Sequence, residues 1–222
     1  MIRTRPLLAW MIRTGTSILC RIDTGPLTEV PHSGPLILVM NHINSLEVPL
    51  LSAHLQPRHM TGVAKVETWD SPLMGWLFDQ WEAIPIRRGE PDVVAVRRAL
   101  AVLAAGGILA VAPEGTRSHT GQLLRARPGV VTLGLHSGAP ILPIAHWGGE
   151  KFSGNLRRLR RTDFHIRVGE LFCLADNGKR LSHEIRQAMV DEIMVQLAQL
   201  MPEAYRGEYA GFTPSQRYLR FA

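Results

Sequence analysis

The sequence predicts an α/β fold: a single domain with a mixed, mostly parallel sheet flanked by helices, preceded by an N-terminal amphipathic helical segment. Three observations support this prediction. Short, continuous apolar runs such as Leu36–Met40 and Ile108–Val111 are typical of strands buried on both faces of a parallel sheet. Apolar residues at helical spacing lie between these runs, for example over 94–103. A length of 222 residues suits one domain with a sizeable core.

The N-terminal segment, which we assign to residues 1–30, begins with a basic amphipathic stretch that contains Arg3, Arg5 and Arg13. Its apolar residues recur every three, four or seven positions and therefore share one helical face. Two interpretations stay open: a helix that lies in the headgroup layer of a membrane with Trp10 as an anchor, or a helix that packs on the domain core. The apolar residues are Leu7, Leu8, Met11, Ile12, Ile18 and Leu19.

The α/β domain is assigned to residues 31–204 and the C-terminal tail to residues 205–222. The predicted strands follow the apolar runs, and an alternating pattern further along the chain predicts an outer strand. These strands are 36–40, 62–64, 84–86, 108–111, 141–144 and the outer strand 164–174.

Helices are predicted between these strands and near the C-terminus. Pro91 is expected to open one that ends at Gly106 or Gly107. Two more are expected over 130–136 and 185–200. An aromatic set at helical spacing favours core packing over an acyl-chain groove or membrane contact. This set is Trp69, Trp76, Phe78 and Trp81.

The charge balance favours an anionic partner. Lysine and arginine number 25 against 19 aspartate and glutamate, for a formal net charge of +6. Such an excess suits nucleic acid, anionic lipid or phosphorylated small molecules. All basic residues except Lys65, Lys151 and Lys179 are arginine, whose planar fork binds phosphate through two hydrogen bonds, although a GC-rich genome would produce the same bias.

Several classes of protein are disfavoured. No run of 18 or more uncharged apolar residues is present, so the sequence predicts no membrane-spanning helix. Cys20 and Cys173 cannot form a disulfide framework and favour a reducing, cytosolic compartment. The sequence predicts no metal site and no cofactor.

The first candidate catalytic pair is His42 with Glu47. Asn41 and His42 directly follow the first predicted strand, at the sheet edge where open α/β proteins bind ligands. Five residues on a continuous helix lie about 140° apart, so His42 and Glu47 can meet only across a turn. Ser45 suits the cap of a helix that starts at Leu46, which would supply that turn. A carboxylate bound to one ring nitrogen makes the other nitrogen a better general base for a hydroxyl.

Two further loops at predicted strand ends suit phosphate binding. Residues 113–118 are Pro-Glu-Gly-Thr-Arg-Ser, in which Gly115 allows close backbone approach and Arg117 offers a guanidinium fork. Residues 84–89 are Ile-Pro-Ile-Arg-Arg-Gly and repeat the order of strand, arginine and glycine. The 113–118 loop by itself would be better explained as a solvated turn. At one sheet edge, the three loops would place a base beside an anion-binding surface.

Taken together, these blocks resemble the glycerolipid acyltransferase family, of the 1-acyl-sn-glycerol-3-phosphate acyltransferase type. That family has four ordered blocks: Asn-His-x4-Asp, a strand ending in Arg near Gly, Pro-Glu-Gly-Thr-Arg-Ser, and a strand similar to Val-Pro-Ile-Val-Pro. The resemblance spans about residues 34–145, and the joint order and spacing make it specific although each block alone is weak. The corresponding blocks are Asn41-His42 with Glu47, then 84–89, 113–118 and 139–144.

The resemblance implies an enzyme of phospholipid biosynthesis. A fatty acyl group would pass from a thioester of coenzyme A or acyl carrier protein to the hydroxyl of 1-acyl-glycerol 3-phosphate, which gives phosphatidic acid. His42 would remove the hydroxyl proton, Glu47 would orient the ring, and no acyl-enzyme would form. Backbone amides would stabilise the oxyanion. The residues implied to bind the acceptor are Arg87, Arg88, Glu114, Gly115, Thr116 and Arg117.

Glu47 departs from the family pattern, which has Asp at this position. The role of an anion that orients His42 survives this change, but a divergent member with another acceptor gains support. Such an acceptor would be glycerol 3-phosphate, a lysolipid with a head group, or an amine.

A rival from another class is a non-catalytic basic module that binds membrane or nucleic acid. It would need a recognised binding motif or aromatic residues interleaved with arginines, and the sequence has neither, so no nucleic acid partner is predicted. The arginines near the N-terminus and over 157–161 instead suit an anionic membrane surface. We therefore expect a peripheral protein on the cytoplasmic, inner face of the cell membrane.

Overall fold

The computed structural model describes residues 4–44, 46–87, 92–175, 181–213 and 215–221. Within these ranges, its helices are α1 (Thr4–Leu19), α2 (Glu47–His54), α3 (Pro72–Gln80), α4 (Val93–Ala104), α5 (Gly129–Ser137), α6 (Phe152–Arg157) and α7 (His183–Gln199). Its strands are β1 (Cys20–Ile22), β2 (Leu36–Met40), β3 (Met60–Lys65), β4 (Ile84–Ile86), β5 (Ile108–Val111), β6 (Ile141–Trp147), β7 (Thr162–Val168), β8 (Phe172–Leu174) and β9 (Leu219–Phe221).

A single mixed sheet has the strand order β1-β7-β6-β2-β5-β3-β4, and β8 joins β6 to β9. Strand β2 is parallel to both β5 and β6, and β3 is parallel to β4 and β5. Antiparallel pairing is confined to β6 with β7 and β8, and to β8 with β9, among the described strands. The predicted α/β class with a mixed, mostly parallel sheet is confirmed.

Two apolar cores cover the two faces of the sheet. Every residue of β2 is buried, as expected for a strand in the middle of a parallel sheet. Ile37 and Val39 pack with α4, α5 and α7, whereas Leu36, Leu38 and Met40 pack with α2. This double cover fixes the carboxyl end of β2 between its neighbours β5 and β6.

The prediction of a single outer strand over 164–174 is wrong. The chain forms β7, which lies inside the sheet between β6 and β1, and then the separate short strand β8. Phe164 and Ile166 of β7 are buried on one face while the residues between them are exposed, so the alternation reflects a half-covered face and not a sheet edge.

Helix boundaries differ in detail from those expected. Helix α2 begins at Glu47, and the expected cap Ser45 lies outside the described residues. Pro91 also lies outside them, and α4 begins at Val93 with the Asp92 side chain accepting a hydrogen bond from the Ala95 N–H at 2.8 Å.

Helix α1 combines features of both expected interpretations. It packs on α2, where the Arg13 guanidinium donates from Nε to the carbonyl of Ala53 at 2.8 Å. Its other side leaves an apolar face uncovered, with Leu7, Trp10, Met11 and Ile18 each more than half exposed. Among the described helices, none is long and apolar enough to cross a membrane.

Candidate active site

The candidate site lies at the carboxyl ends of the parallel strands β2 and β5. Asn41, the first residue after β2, is buried and joins this end to β6: its side chain donates to the carbonyl of His146 at 2.8 Å and accepts from the His146 N–H at 3.0 Å. These two bonds hold the start of the loop that carries His42.

The loop between β2 and α2 folds back so that Glu47 reaches His42. Nδ1 of His42 lies 3.0 Å from Oε2 of Glu47, whose side chain is only 1% exposed. The other carboxylate oxygen accepts backbone N–H groups from Ile43, at 2.9 Å, and from Asn44. The turn expected between His42 and Glu47 is therefore present. The longer Glu side chain is accommodated because the backbone N–H groups of Ile43 and Asn44 bind its carboxylate.

The environment of Glu47 keeps its carboxyl group ionised. Burial by itself would raise its pKa, but hydrogen bonds and charge interactions with His146 and His42 outweigh that effect and lower the pKa to about 2. An ionised Glu47 favours the proton of His42 on Nδ1, which leaves Nε2 as the proton acceptor.

Glu114 fastens the backbone of His42 to the loop after β5. Its side chain is buried, and its two oxygens accept the N–H of His42 at 3.0 Å and the N–H of Leu124 at 2.9 Å. The carbonyl of His42 in turn accepts the N–H of Ser118 at 2.7 Å. Burial raises the pKa of Glu114 to about 7, since it outweighs the two backbone hydrogen bonds and is helped by the charge of Glu47.

An apolar cavity of about 390 Å³ opens beside His42. The residues that line it include Val63, Phe78, Trp81, Ala99 and Leu133. Core packing therefore describes only part of the aromatic set, because Phe78 and Trp81 face the cavity while Trp76 is about half exposed.

Gly115 borders the same cavity and has a positive φ of 68°, which glycine adopts without strain. A Cβ at this position would lie 3.6 Å from Cδ of Arg127. The backbone of the 113–118 loop thus approaches both the cavity and an arginine side chain.

The residues expected to bind the acceptor are only partly brought together. Arg87 and Gly115 line the cavity with His42, and Glu114 supports the backbone of His42. Thr116 and Arg117 are exposed on the loop and do not line the cavity. Arg88 lies outside the described residues.

Sequence reasoning missed Arg127 and His146. Arg127 lines the cavity, and its backbone N–H donates to the carbonyl of Pro113 at 2.9 Å. Its signal in the sequence is an arginine two residues before Gly129, which starts α5. His146 faces Glu47 from β6, and the sequence offers no signal for that contact because it depends on strand pairing.

The C-terminal tail supports the loop that carries Arg127. The Tyr209 hydroxyl accepts the N–H of Ala126 at 3.0 Å and donates to Asp191 of α7 at 3.1 Å. The carbonyl of Tyr205 accepts the N–H of Leu123 at 3.0 Å. Burial raises the pKa of Tyr209, which keeps this hydroxyl a donor.

In the described part of the chain, no group of three or more His, Cys, Asp or Glu residues is arranged to hold a metal ion.

The His42–Glu47 pair, the loop held by Glu114 and the apolar cavity therefore lie together at the carboxyl ends of β2 and β5. Residues 21–147, more than half of the chain, match the family model described as Acyltransferase. The chain therefore belongs to the acyltransferase family, and the resemblance seen in the sequence motifs is confirmed.

Individual relatives are similar over different parts of the chain. The 1-acyl-sn-glycerol-3-phosphate acyltransferase of Pseudomonas aeruginosa is 26% identical over 85% of this chain and 74% of its own length. The lyso-ornithine lipid O-acyltransferase of the same organism is 35% identical over 53% of this chain and 44% of its own length. The crystal structure of the 1-acyl-sn-glycerophosphate acyltransferase PlsC from Thermotoga maritima, at 20% identity, shares the fold with a TM-score of 0.58 and covers 84% of this chain and 75% of its own.

Proposed function

We propose that this protein transfers a fatty acyl group from a thioester of coenzyme A or acyl carrier protein to the hydroxyl of 1-acyl-glycerol 3-phosphate, which gives phosphatidic acid. The observation that carries the proposal is the His42–Glu47 pair at the edge of an apolar cavity. An apolar cavity suits an acyl chain, because burying CH₂ groups is favourable by about 0.8 kcal/mol each. The imidazole at its edge suits deprotonation of a hydroxyl.

The reaction needs one base and no acyl-enzyme. Nε2 of His42 takes the proton of the acceptor hydroxyl as the oxygen bonds to the thioester carbonyl carbon. The carbon–sulfur bond of the tetrahedral intermediate then breaks, and the leaving thiolate takes the proton from His42. Glu47 stabilises the imidazolium between these two steps. Backbone N–H groups near the 113–118 loop stabilise the oxyanion.

The acceptor phosphate is assigned to the arginines at the cavity. Arg87 and Arg127 line it, and Gly115 brings the loop backbone to the same wall. We assign to the same phosphate Thr116 and Arg117, which are exposed on the loop of Gly115, and Arg88, which follows Arg87 in the chain. We assign to Glu114 a supporting role in this binding site, because its two oxygens hold the backbone N–H groups of His42 and Leu124 in place.

A second acceptor class is favoured by two observations. Glu47 replaces the aspartate of the family motif. The lyso-ornithine lipid acyltransferase is 35% identical over its match to 53% of this chain, against 26% for the other Pseudomonas relative over its longer match to 85%. A lysolipid of that kind would not need a phosphate site at the cavity arginines.

Acyl transfer to a panel of acceptors distinguishes these proposals. Purified protein with labelled acyl-CoA or acyl carrier protein is expected to acylate 1-acyl-glycerol 3-phosphate, and Arg127→Ala is expected to raise the KM for it about tenfold or more with little change in kcat. Arg125→Ala is the matched control, because Arg125 is exposed on the same segment and does not line the cavity.

The panel should also contain glycerol 3-phosphate, head-group lysolipids and amines, with products identified by mass spectrometry. An unchanged KM in Arg127→Ala, or acylation only of acceptors without a free phosphate, would contradict the assigned phosphate site. Absence of any acyl transfer would contradict the proposed function itself.

The exposed apolar face of α1 is assigned to an anionic membrane surface, with the protein peripheral on its cytoplasmic side. Leu7, Trp10 and Met11 are 60%, 61% and 56% exposed. The chain carries a net charge of +6, which complements anionic headgroups. Together these features suit a helix that lies in the interface.

Co-sedimentation with vesicles tests this assignment. Wild-type protein is expected to bind vesicles of phosphatidylcholine and phosphatidylglycerol at low salt, and Trp10→Ala combined with Met11→Ala is expected to weaken binding about tenfold or more. Leu159→Ala is the control, since Leu159 is 94% exposed but lies outside α1. Wild-type protein that stays in the supernatant, or equal binding by both variants, would refute the role of α1.

A further inference from the structure

His146 is a buried histidine on the central strand β6, held from two sides. Its residue is 2% exposed, and its ring stacks on Phe164 with 5.7 Å between ring centroids and 7° between planes. Its backbone N–H and carbonyl both bond to the Asn41 side chain. The ring position is thus fixed relative to the residue that precedes His42.

The Nε2 atom of His146 lies next to Glu47, 3.3 Å from Oε1. It is buried and makes no regular hydrogen bond to any described group. A buried ring nitrogen without a partner is destabilising, and a carboxylate is the acceptor that this geometry supplies. Since Oε2 of Glu47 faces Nδ1 of His42 at 3.0 Å, one carboxylate lies between two imidazoles.

The surroundings of these groups are apolar. A small cavity at this point is lined by Glu47 and His146, with only apolar side chains such as Leu50, Ile144 and Phe164 around them. At 3.3 Å, the contact between His146 and Glu47 is direct. In such a setting an N–H aimed at a carboxylate has a stronger effect than at a wet surface.

We propose that His146 is a positioning residue, which acts through Glu47 by holding its carboxylate ionised and aimed at Nδ1 of His42. This inference rests on the proposed role of His42 as the base. It adds strand β6 to the site, which otherwise consists of the loops after β2 and β5. His146, Glu47 and His42 then lie in a row, with the Glu47 carboxylate between the two imidazoles.

Other groups around Glu47 are consistent with this role. The loop after β2 contributes His42 and the N–H groups of Ile43 and Asn44, and β6 contributes His146. Glu114 faces His42 from the loop after β5, and the charge of Glu47 helps to raise the pKa of Glu114. Burial would raise the pKa of Glu47, and the contact with His146 is the largest of the effects that lower it.

The test compares His146→Phe, which keeps a stacked ring but removes the N–H, with His146→Gln, which keeps an N–H donor. We expect His146→Phe to lower kcat for acyl transfer about tenfold to a hundredfold with little change in KM, the range for a lost hydrogen bond to a charged group. His146→Gln is expected to recover most of this loss. His165→Phe is the matched control, because His165 also stacks on an aromatic ring, that of Trp147, but is exposed on the next strand.

Carboxyl-carbon NMR of glutamate-labelled protein supplies a readout independent of turnover. Glu47 is expected to stay ionised in wild-type protein down to the lowest pH at which it is folded, and to titrate at a higher pH in His146→Phe. Equal kcat and equal Glu47 titration in the two proteins would reduce His146 to a packing residue while leaving the proposed function intact. If His146→Phe does not fold, the wild-type protein and His146→Gln still test the inference: a Glu47 carboxyl that titrates near its ordinary value of 4.5 in the folded wild-type protein would overturn it.

Discussion

Replacement of His42 by alanine is expected to lower kcat/KM for acyl transfer by about 10²- to 10⁴-fold, the range for loss of a general base. The reason is geometric: in this structure the imidazole lies at the edge of the apolar cavity with one nitrogen bound to Glu47. The measurement is the initial rate with a labelled acyl donor and the best acceptor found in the panel. Binding of the acyl donor should be nearly unchanged, since the cavity walls remain.

Stability provides the control for this variant. The backbone N–H and carbonyl of His42, which bond to Glu114 and Ser118, are retained in His42→Ala, so the loop keeps its anchors. Urea unfolding of the variant should therefore stay close to that of the wild type. His136→Ala, a change at an exposed histidine on α5, is the matched variant that should keep full activity. A fully active His42→Ala protein would exclude the proposed base.

The fold could be predicted largely from periodicity, because the central strands are buried on both faces and appear as unbroken apolar runs. Strands β2 and β5 are the clearest cases, since all of their residues are buried. Strand β7 could not be placed, because a half-covered inner strand has the same alternation as an edge strand. Pairing partners along a sheet are long-range contacts that local pattern does not encode.

The candidate site divides in the same way. His42 and Glu47 are five residues apart, so their sequence spacing and a cap before α2 are enough to indicate that a turn could bring them together, as the structure does. The sequence motif suggests that Glu114 binds a ligand, whereas in the structure its oxygens accept the backbone N–H groups of His42 and Leu124. The sequence could not predict the bond to His42, because the two residues are 72 positions apart. His146 lies still further along the chain and becomes visible only when β6 pairs with β2.

Replacement of Glu47 by glutamine is expected to lower kcat by about 10³-fold or more, with a smaller effect on KM. Glu47 accepts N–H groups at both oxygens, from Ile43 and Asn44 at one and from His42 at the other. An amide has only one acceptor oxygen, so its NH₂ group must face an N–H donor on one side. If that side is His42, the imidazole takes the wrong tautomer, a change that costs about 10⁴-fold in the serine protease triad.

Glu47→Asp separates the effect of charge from that of reach. Aspartate keeps the negative charge but is one methylene shorter, so its carboxylate moves back towards α2 and away from Nδ1 of His42. We expect an intermediate loss of about tenfold, because a longer hydrogen bond to a charged group is weakened but not removed. Rates measured from pH 5 to pH 9 should show the same order of variants throughout, since the Glu47 pKa of about 2 keeps the wild-type carboxylate ionised over that whole range.

Unfolding measurements complete the comparison of these two variants. The lowered pKa of Glu47 means that its contribution to stability is fully present above the ordinary carboxyl value of 4.5 and is lost as the pH falls towards 2. Glu47→Gln should therefore be less stable than the wild type at neutral pH, and the difference should shrink in acid. A glutamine variant with wild-type kcat would show that the charge of Glu47 does not orient His42. An aspartate variant as inactive as glutamine would show that the reach of the longer side chain is indispensable in this loop.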